Sequence, residues 1–186
     1  MKTIHMTICA LFAALTAILT QILIPIGPVP ITLSTLSVLT AGALLGSKYG
    51  SISQLVYILL GVIGAPVFSG FEGGLGKIAG PTGGYIIGYF FAAWVVGFII
   101  EKTDKQNKKL PFIIVALSAG YLTYTLLGTI WFMHQTSSTL PHAIQLCVLP
   151  FIPGDIAKIV LSTILTLRLR SYLQKQIRIR SATKSA

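Results

Sequence analysis

The sequence predicts an all-α integral membrane protein with about six transmembrane helices and both termini in the cytoplasm. Three observations predict this fold class: the scarcity of charge, the succession of apolar segments, and the clustering of basic residues. Only 10% of the 186 residues are charged and 54% are hydrophobic, with a mean hydropathy of +0.83. A soluble domain carries roughly 25% charged residues, so a chain this poor in charge requires lipid around most of its surface.

Proline, glycine and charge divide the chain into six apolar segments: 4–24, 31–45, 51–63, 83–100, 112–132 and 156–173. The second and third are shorter than the roughly 20 residues that a helix needs to cross a bilayer. They are either tilted, broken or extended by their flanks, or they form one re-entrant pair. We expect one transmembrane domain over residues 1–186, with residues 174–186 as a basic cytoplasmic tail.

The basic residues determine the predicted orientation. With six spans, 12 of the 14 Lys and Arg residues fall at the amino terminus, in the loops after the second and fourth segments, and in the tail. The opposite side has Lys77, and Lys158 lies inside the last segment. The positive-inside rule makes the basic side cytoplasmic. It also explains the net charge of +10 without a nucleic-acid partner.

A glycine-rich connection lies on the outer side, because residues 61–85 contain 9 of the chain's 18 glycines. Glycine lets the backbone approach a ligand closely, so the connection is either a lid over a binding site or a flexible connector. Prolines 30, 81 and 153 precede the second, fourth and sixth segments and suit the first turn of a helix. The positive ends of these three helix dipoles then face an anionic solute arriving from outside.

Asp155 and Lys158 carry the strongest functional signal. They are three residues apart, so they share one helix face near the outer end of the last segment. Ionisable groups inside a membrane span are costly and mark functional sites. The alternatives are a structural ion pair, or a lysine that extends to the outer headgroups. In a solute site, Asp155 accepts hydrogen bonds from N–H groups and Lys158 meets a carboxylate or a carbonyl.

Further candidates lie in and after the glycine-rich connection. Thr82, Gly84 and Tyr85 open the fourth segment, where the tyrosine offers a flat apolar face and a hydroxyl beside glycines that leave room for a ligand. Phe68 is placed to cap an apolar ligand. The alternatives are a tyrosine of the interfacial aromatic belt and a phenylalanine anchored at the headgroups.

Alanines repeat every four residues in the first segment, as Ala10 with Ala14 and Ala13 with Ala17. This spacing puts small side chains on one helix face, where another helix can approach closely. That helix belongs either to the chain's own bundle or to a partner protein.

The chain has no motif for chemistry of its own. The pattern GxxxxGK[ST] is absent, so no ATP site is predicted. The three histidines and two cysteines do not have the spacing of metal ligands. We therefore expect no catalytic residue, metal or cofactor.

Several longer blocks resemble one family: Pro28-Val29-Pro30, Gly61-Val62-Ile63-Gly64-Ala65-Pro66-Val67-Phe68, Gly80-Pro81-Thr82-Gly83-Gly84-Tyr85, and Leu149-Pro150-Phe151-Ile152-Pro153-Gly154-Asp155 followed by Lys158. With these blocks the chain resembles, over nearly its whole length, the BioY proteins, the biotin-binding S components of energy-coupling factor (ECF) transporters. Where many BioY proteins have glutamine in the second segment, this chain has Ser34.

The resemblance implies a six-helix S-component bundle in a bacterial cell membrane that captures biotin from outside. It also implies a complex with a transmembrane coupling protein, contacted by the alanine face, and two cytoplasmic ATPases. The implied binding residues are Asp155, Lys158, Tyr85, Phe68, Gly84 and Thr82. Asp155 would accept from the ureido N–H groups of biotin, and Lys158 would offset charge or hold a carbonyl or the tail carboxylate; which end of biotin meets which residue stays open.

Three alternatives remain at this point. One is an S component for another vitamin. Another is a small intramembrane enzyme acting on lipid, although the paired acid–base or metal residues of such chemistry are missing from the sequence. The last is a structural subunit without a ligand.

Overall fold

Seven helices and one short hairpin of strands make up the described structure. The computed structural model describes residues 3–26, 28–103 and 109–182, with the backbone alone for 109 and 170–182. Of the basic residues counted above, Lys2, Lys105, Lys108 and Lys184 lie outside these ranges. The elements are α1 (Thr3–Gln21), β1 (Leu23–Ile24), β2 (Ile31–Thr32), α2 (Ser34–Val62), α3 (Leu75–Ala79), α4 (Gly83–Thr103), α5 (Lys109–Thr136), α6 (Leu140–Cys147) and α7 (Ile152–Ala182). Strands β1 and β2 pair in antiparallel fashion.

Helix α2 reverses direction at Gly46. This glycine has φ 79° and ψ 179°, a conformation outside the helical region that L side chains rarely adopt. A Cβ built on Gly50 would lie 2.8 Å from the Cα of Gly42, which requires the two halves of α2 to run side by side. The predicted segments 31–45 and 51–63 are therefore the two arms of one helical hairpin, 34–45 and 47–62.

Polar side chains join α1 to both arms of α2. The Thr16 hydroxyl lies 2.9 Å from the Ser37 hydroxyl in the first arm and 3.3 Å from the Gln54 amide nitrogen in the second. All three residues are buried. Hydrogen bonds between helices stabilise bundles in lipid, where the hydrophobic effect does not drive helices together.

Helix α4 is the central helix of the bundle. Of its most apolar window 61% is buried, against 28% in α1 and in α5, so α1 and α5 present much more apolar surface to the outside. Small residues bring the neighbours close: a Cβ on Gly88 would lie 3.0 Å from the Cα of Tyr124 in α5, and one on Gly42 would lie 3.0 Å from the Cα of Ala93. Helix α4 thus packs against α2 on one side and α5 on the other.

Three helices, α1, α4 and α5, are long and apolar enough to cross a membrane. Helix α6 and the described part of α7 form a fourth candidate, bent by 57°. With this set of apolar helices the chain is a multi-pass membrane protein. Helix α7 extends beyond both ends of the predicted segment 156–173, so residues 174–182 of the predicted tail continue the helix.

Contacts between helix ends define two ends of the bundle. At one end the Glu101 carboxylate of α4 accepts hydrogen bonds from the backbone N–H and the hydroxyl of Ser47, at 2.8 and 2.7 Å. Lys48 and Lys102 lie at this end, beside the reversal of α2. Lys77 lies at the other end, in α3, with the β1–β2 hairpin. These lysines are divided between the two ends as the sequence predicts.

Candidate functional site

A cavity lies inside the bundle at the end that carries the β1–β2 hairpin. The space inside it is about 500 Å³ when the part open to solvent is included. Five helices, the hairpin and the glycine-rich connection contribute to its wall. The lining residues are Thr20, Val29, Pro30, Thr32, Thr35, Tyr57, Ser69, Thr82, Tyr85, Ile86, Tyr89, Tyr124, Phe151 and Lys158.

Helix α7 places the predicted ion pair at this cavity. Asp155 lies in its first turn, where the positive end of the helix dipole favours an anion. Lys158 follows three residues later, with its Nζ atom 2.7 Å from Asp155 Oδ1. The residues are only 3% and 4% exposed, and Lys158 lines the cavity. The alternative that the lysine extends to the headgroups is therefore wrong.

Two buried oxygens at the site have no hydrogen-bond partner among the described residues. They are Asp155 Oδ2 and Thr35 Oγ1, and Thr35 lines the cavity. Buried polar atoms are nearly always paired, since leaving one unpaired costs about 1–3 kcal/mol. At the lining, Thr35 and Lys158 offer a solute one hydroxyl and one cationic donor, and the Asp155 carboxylate with its free oxygen is bound to that ammonium.

Four tyrosines form an aromatic wall, which we define as Tyr57, Tyr85, Tyr89 and Tyr124. Ring centroids lie 6.3 Å apart for Tyr57 and Tyr89, 6.1 Å for Tyr89 and Tyr124, and 6.2 Å for Tyr85 and Tyr124. Tyr85 is buried, with its hydroxyl 3.2 Å from the Thr129 hydroxyl, so it is not a tyrosine of the interfacial belt. The other three were not predicted, although Tyr85 and Tyr89 share a helix face by their spacing.

Ser34 contacts the aromatic wall without lining the cavity. Its hydroxyl lies 2.6 Å from the Tyr89 hydroxyl, and Ser34 is fully buried without lining the cavity. Ser34 therefore positions the phenol of Tyr89. The cavity residue from the start of the first arm of α2 is its neighbour Thr35.

The glycine-rich connection closes one side of the cavity with Ser69 and Thr82. Side chains from other elements hold its backbone: the Tyr57 hydroxyl donates to the Val67 carbonyl at 3.2 Å, and the Trp131 indole N–H donates to the Gly80 carbonyl at 3.0 Å. A segment fixed in this way and lining a cavity matches the predicted lid better than a flexible connector.

Three predicted ligand contacts lie outside the cavity lining: Asp155, Phe68 and Gly84. Phe68 is fully buried and packs edge-on against Tyr57, with ring centroids 5.7 Å apart. A Cβ on Gly84 would lie 2.9 Å from the Leu127 carbonyl oxygen of α5, so Gly84 allows α4 and α5 to pack closely. Phe68 thus packs against a residue that lines the cavity, Gly84 packs against α5, and Asp155 is joined to the lining through its ion pair with Lys158. Thr82, Tyr85 and Lys158 do line the cavity.

The predicted alanine face of α1 is divided by the fold. Ala10 and Ala14 are exposed. Ala13 is only 2% exposed, and Ala17 packs against the core of buried side chains. The prediction that all four form one partner-binding face is therefore wrong for Ala13, because its side chain is enclosed by the chain's own bundle.

The bundle and its cavity define a class of protein: a multi-pass helical membrane protein that encloses a site for a small, partly polar solute. A family model described as the BioY family matches residues 1–175. The chain therefore belongs to the BioY family.

Individual relatives agree with this assignment. A "Probable biotin transporter BioY" from Pyrococcus horikoshii is 39% identical over 170 residues, which cover 91% of this chain and 98% of the relative. The "Biotin transporter BioY" from Thermotoga maritima is 35% identical, with 86% and 92% covered. A solved structure of the S-component for biotin from an ECF-type ABC transporter superposes with a TM-score of 0.85 at 35% identity, covering 91% of this chain and 92% of the other. The fold is that of an S component.

Proposed function

We propose that this chain is the biotin-binding S component of an ECF-type uptake transporter and captures biotin from outside the cell. The observation that carries the proposal is the buried Asp155–Lys158 pair, which reaches the cavity through Lys158 and leaves one carboxylate oxygen unpaired. The relatives named as biotin transporters support biotin as the solute. The mechanism is binding, closure of the connection and release driven by partners, without covalent chemistry by this chain.

The ureido edge of biotin fits the ion pair. It presents N–H donors beside a carbonyl acceptor, and the pair presents the free Asp155 Oδ2 as acceptor and the Lys158 ammonium as donor. A neutral group suits this position because the pair has no net charge. A solute carboxylate placed there would be desolvated next to Asp155 and repelled by it. We therefore place the valerate carboxylate at the part of the cavity open to solvent.

The aromatic wall suits the apolar bicyclic body of biotin. Flat tyrosine faces provide large contact areas with few rotatable bonds. Tyr89 is held by Ser34 and Tyr85 by Thr129, so these two rings are oriented before the solute binds. In this proposal Phe68 and Gly84 act indirectly, by holding Tyr57 and the α4–α5 packing in place.

The topology proposed for this function has six spans. Helices α1, α4 and α5 and the bent α6–α7 pair supply four, and the two arms of α2, of which the first is shorter than a full span, supply the others. The positive-inside rule assigns the Gly46 end to the cytoplasm, with both termini there. The cavity then opens to the outside of a bacterial cell membrane.

Release of biotin to the inside requires partners in this proposal. They are a transmembrane coupling protein and two cytoplasmic ATPases, which supply the ATP hydrolysis for which this sequence has no motif. The exposed Ala10 and Ala14 are the proposed contact with the coupling protein, because small residues let a partner helix approach closely. No nucleic acid, metal or resident cofactor enters the scheme.

Binding by the purified chain tests the proposal. We expect biotin to bind in detergent with one site per chain, measured by isothermal titration calorimetry, and thiamine and riboflavin to leave biotin binding unaffected at equal concentrations. Tighter binding of another vitamin would reassign the solute. A purified chain that binds none of the three would contradict the solute-capture function.

A further inference from the structure

The turn at residues 68–72 in the glycine-rich connection is closed by its own backbone. The Phe68 N–H donates to the Glu72 carbonyl at 2.9 Å. Gly70 and Phe71 both have positive φ, 79° and 59°. The second value is unfavourable for a residue with a side chain. A turn of this kind persists only when its surroundings hold it, so the contacts of its backbone decide its conformation.

One side chain supplies those contacts. The Gln21 amide nitrogen donates to the Phe68 carbonyl at 3.0 Å, and the Gln21 amide oxygen accepts from the Phe71 N–H at 2.9 Å. A primary amide has both a donor and an acceptor, so Gln21 satisfies one carbonyl and one N–H of the turn at once. Gln21 is the last residue of α1, which gives the amide a rigid base.

The position of this turn matters to the cavity. Ser69 lines the cavity, and the fully buried Phe68 ring packs on Tyr57, which also lines it. Tyr57 in turn hydrogen-bonds Thr20 of α1 at 3.2 Å. A turn released from α1 would withdraw Ser69 and the support of Tyr57 together.

We propose that Gln21 is a positioning residue that latches the 68–72 turn onto the end of α1 and so sets how often the cavity opens. The proposal rests on the proposed function in so far as biotin is the occupant. Gln21 acts through the turn and does not itself line the cavity. Opening then requires that both amide hydrogen bonds break, and dissociation of the solute follows opening.

The variant Gln21→Leu removes both bonds at similar side-chain size. A hydrogen bond of ordinary net strength corresponds to about a fivefold change in an equilibrium constant, and two to about thirtyfold. We expect biotin to dissociate about ten- to thirtyfold faster from Gln21→Leu. Because the same opening admits the solute, its association rate should be no slower than that of wild type. Gln21→Glu keeps an acceptor for the Phe71 N–H but sets an oxygen against the Phe68 carbonyl, so its dissociation should also be faster than that of wild type.

A matched control is Gln135→Leu. The exposed Gln135 side chain of α5 donates one hydrogen bond to the Ala79 carbonyl of the same connection, at 2.7 Å. It does not contact the 68–72 turn. Its dissociation rate should stay within about threefold of wild type. Equal rates for Gln21→Leu and Gln135→Leu would overturn the latch.

Hydrogen exchange without biotin gives a readout that is independent of the solute. We expect amides 68–72 to exchange at least tenfold faster in Gln21→Leu, while amides in α4 exchange at the wild-type rate. Unchanged exchange at 68–72 would overturn the latch even if biotin leaves faster. A wild-type chain that fails to bind biotin would instead contradict the proposed function, and the exchange experiment would still decide on Gln21.

Discussion

Variants that remove charge from the Asp155–Lys158 pair distinguish a structural role of the pair from a role in solute binding. Asp155→Asn keeps the shape of the side chain but leaves the Lys158 ammonium, 4% exposed, without its partner at 2.7 Å. Breaking a buried ion pair from one side costs about 3–5 kcal/mol. We expect the free energy of unfolding to fall by that amount in Asp155→Asn and in Lys158→Gln.

The double variant Asp155→Asn/Lys158→Gln removes both charges together. Replacing a buried pair by neutral groups is often close to neutral for stability, so most of the lost stability should return. Biotin affinity should not return. Each charge-assisted hydrogen bond contributes about 1.5–3 kcal/mol, and the loss of two therefore raises the Kd roughly 10²- to 10⁴-fold.

Two measurements on each variant check this reasoning. Unfolding by SDS titration in mixed micelles reports stability without biotin, and isothermal titration calorimetry reports affinity. A stable double variant that binds biotin as tightly as wild type would refute the assigned role, because the pair would then serve the fold alone. Single variants with wild-type stability would refute the statement that the pair is shielded from water.

Three further predictions concern the cavity lining, the packing around Phe68 and the exposed face of α1. Thr35→Val removes an unpaired hydroxyl from the cavity; stability without biotin should be unchanged or up to about 1 kcal/mol higher, while calorimetry should show about five- to tenfold weaker biotin binding. Gly61→Ala places a methyl group on the Phe68 ring, so we expect a loss of about 1–3 kcal/mol in the unfolding titration, together with weaker biotin binding. Ala14→Trp alters an exposed position and should leave stability and biotin binding intact but abolish biotin uptake by cells that express the whole transporter, whereas Ala13→Trp, at a position 2% exposed, should prevent folding. Normal uptake with Ala14→Trp would remove α1 as the partner surface.

The sequence alone could predict features that appear as a pattern of residue types along the chain. Asp155 and Lys158 stand out because charge is rare inside an apolar segment, and the structure pairs them and places Lys158 on the cavity lining. The segments of α4 and α5 were found within a few residues because charge, proline and glycine interrupt the apolar runs. The unusual shortness of segments 31–45 and 51–63 was visible too, but the single-residue reversal between them was not. A positive φ at one glycine does not alter the spacing of apolar residues from which helices are predicted.

Features set by tertiary contacts could not be predicted in this way. Tyr57, Tyr89 and Tyr124 lie in three different places along the chain, and a tyrosine in an apolar segment faces lipid, core or cavity with the same local sequence. Phe68 and Gly84 belong to recognisable blocks, yet their directions depend on Tyr57 and on α5. The sequence identifies such blocks, but it does not show which of their residues line the cavity and which pack against the lining residues.

The short first arm of α2 explains how a polar cavity exists inside an apolar bundle. At 1.5 Å per residue, arm 34–45 rises roughly 18 Å, less than the about 30 Å of hydrocarbon in a bilayer. Because the arm starts from the reversal at Gly46, its other end stops inside the bundle, and Thr35 near that end lines the cavity. The solute site then lies at a depth where an unpaired charge is costly. At that depth Asp155 is tolerated only with Lys158, and this is why the proposed function places the neutral ureido group of biotin, rather than its carboxylate, at the pair.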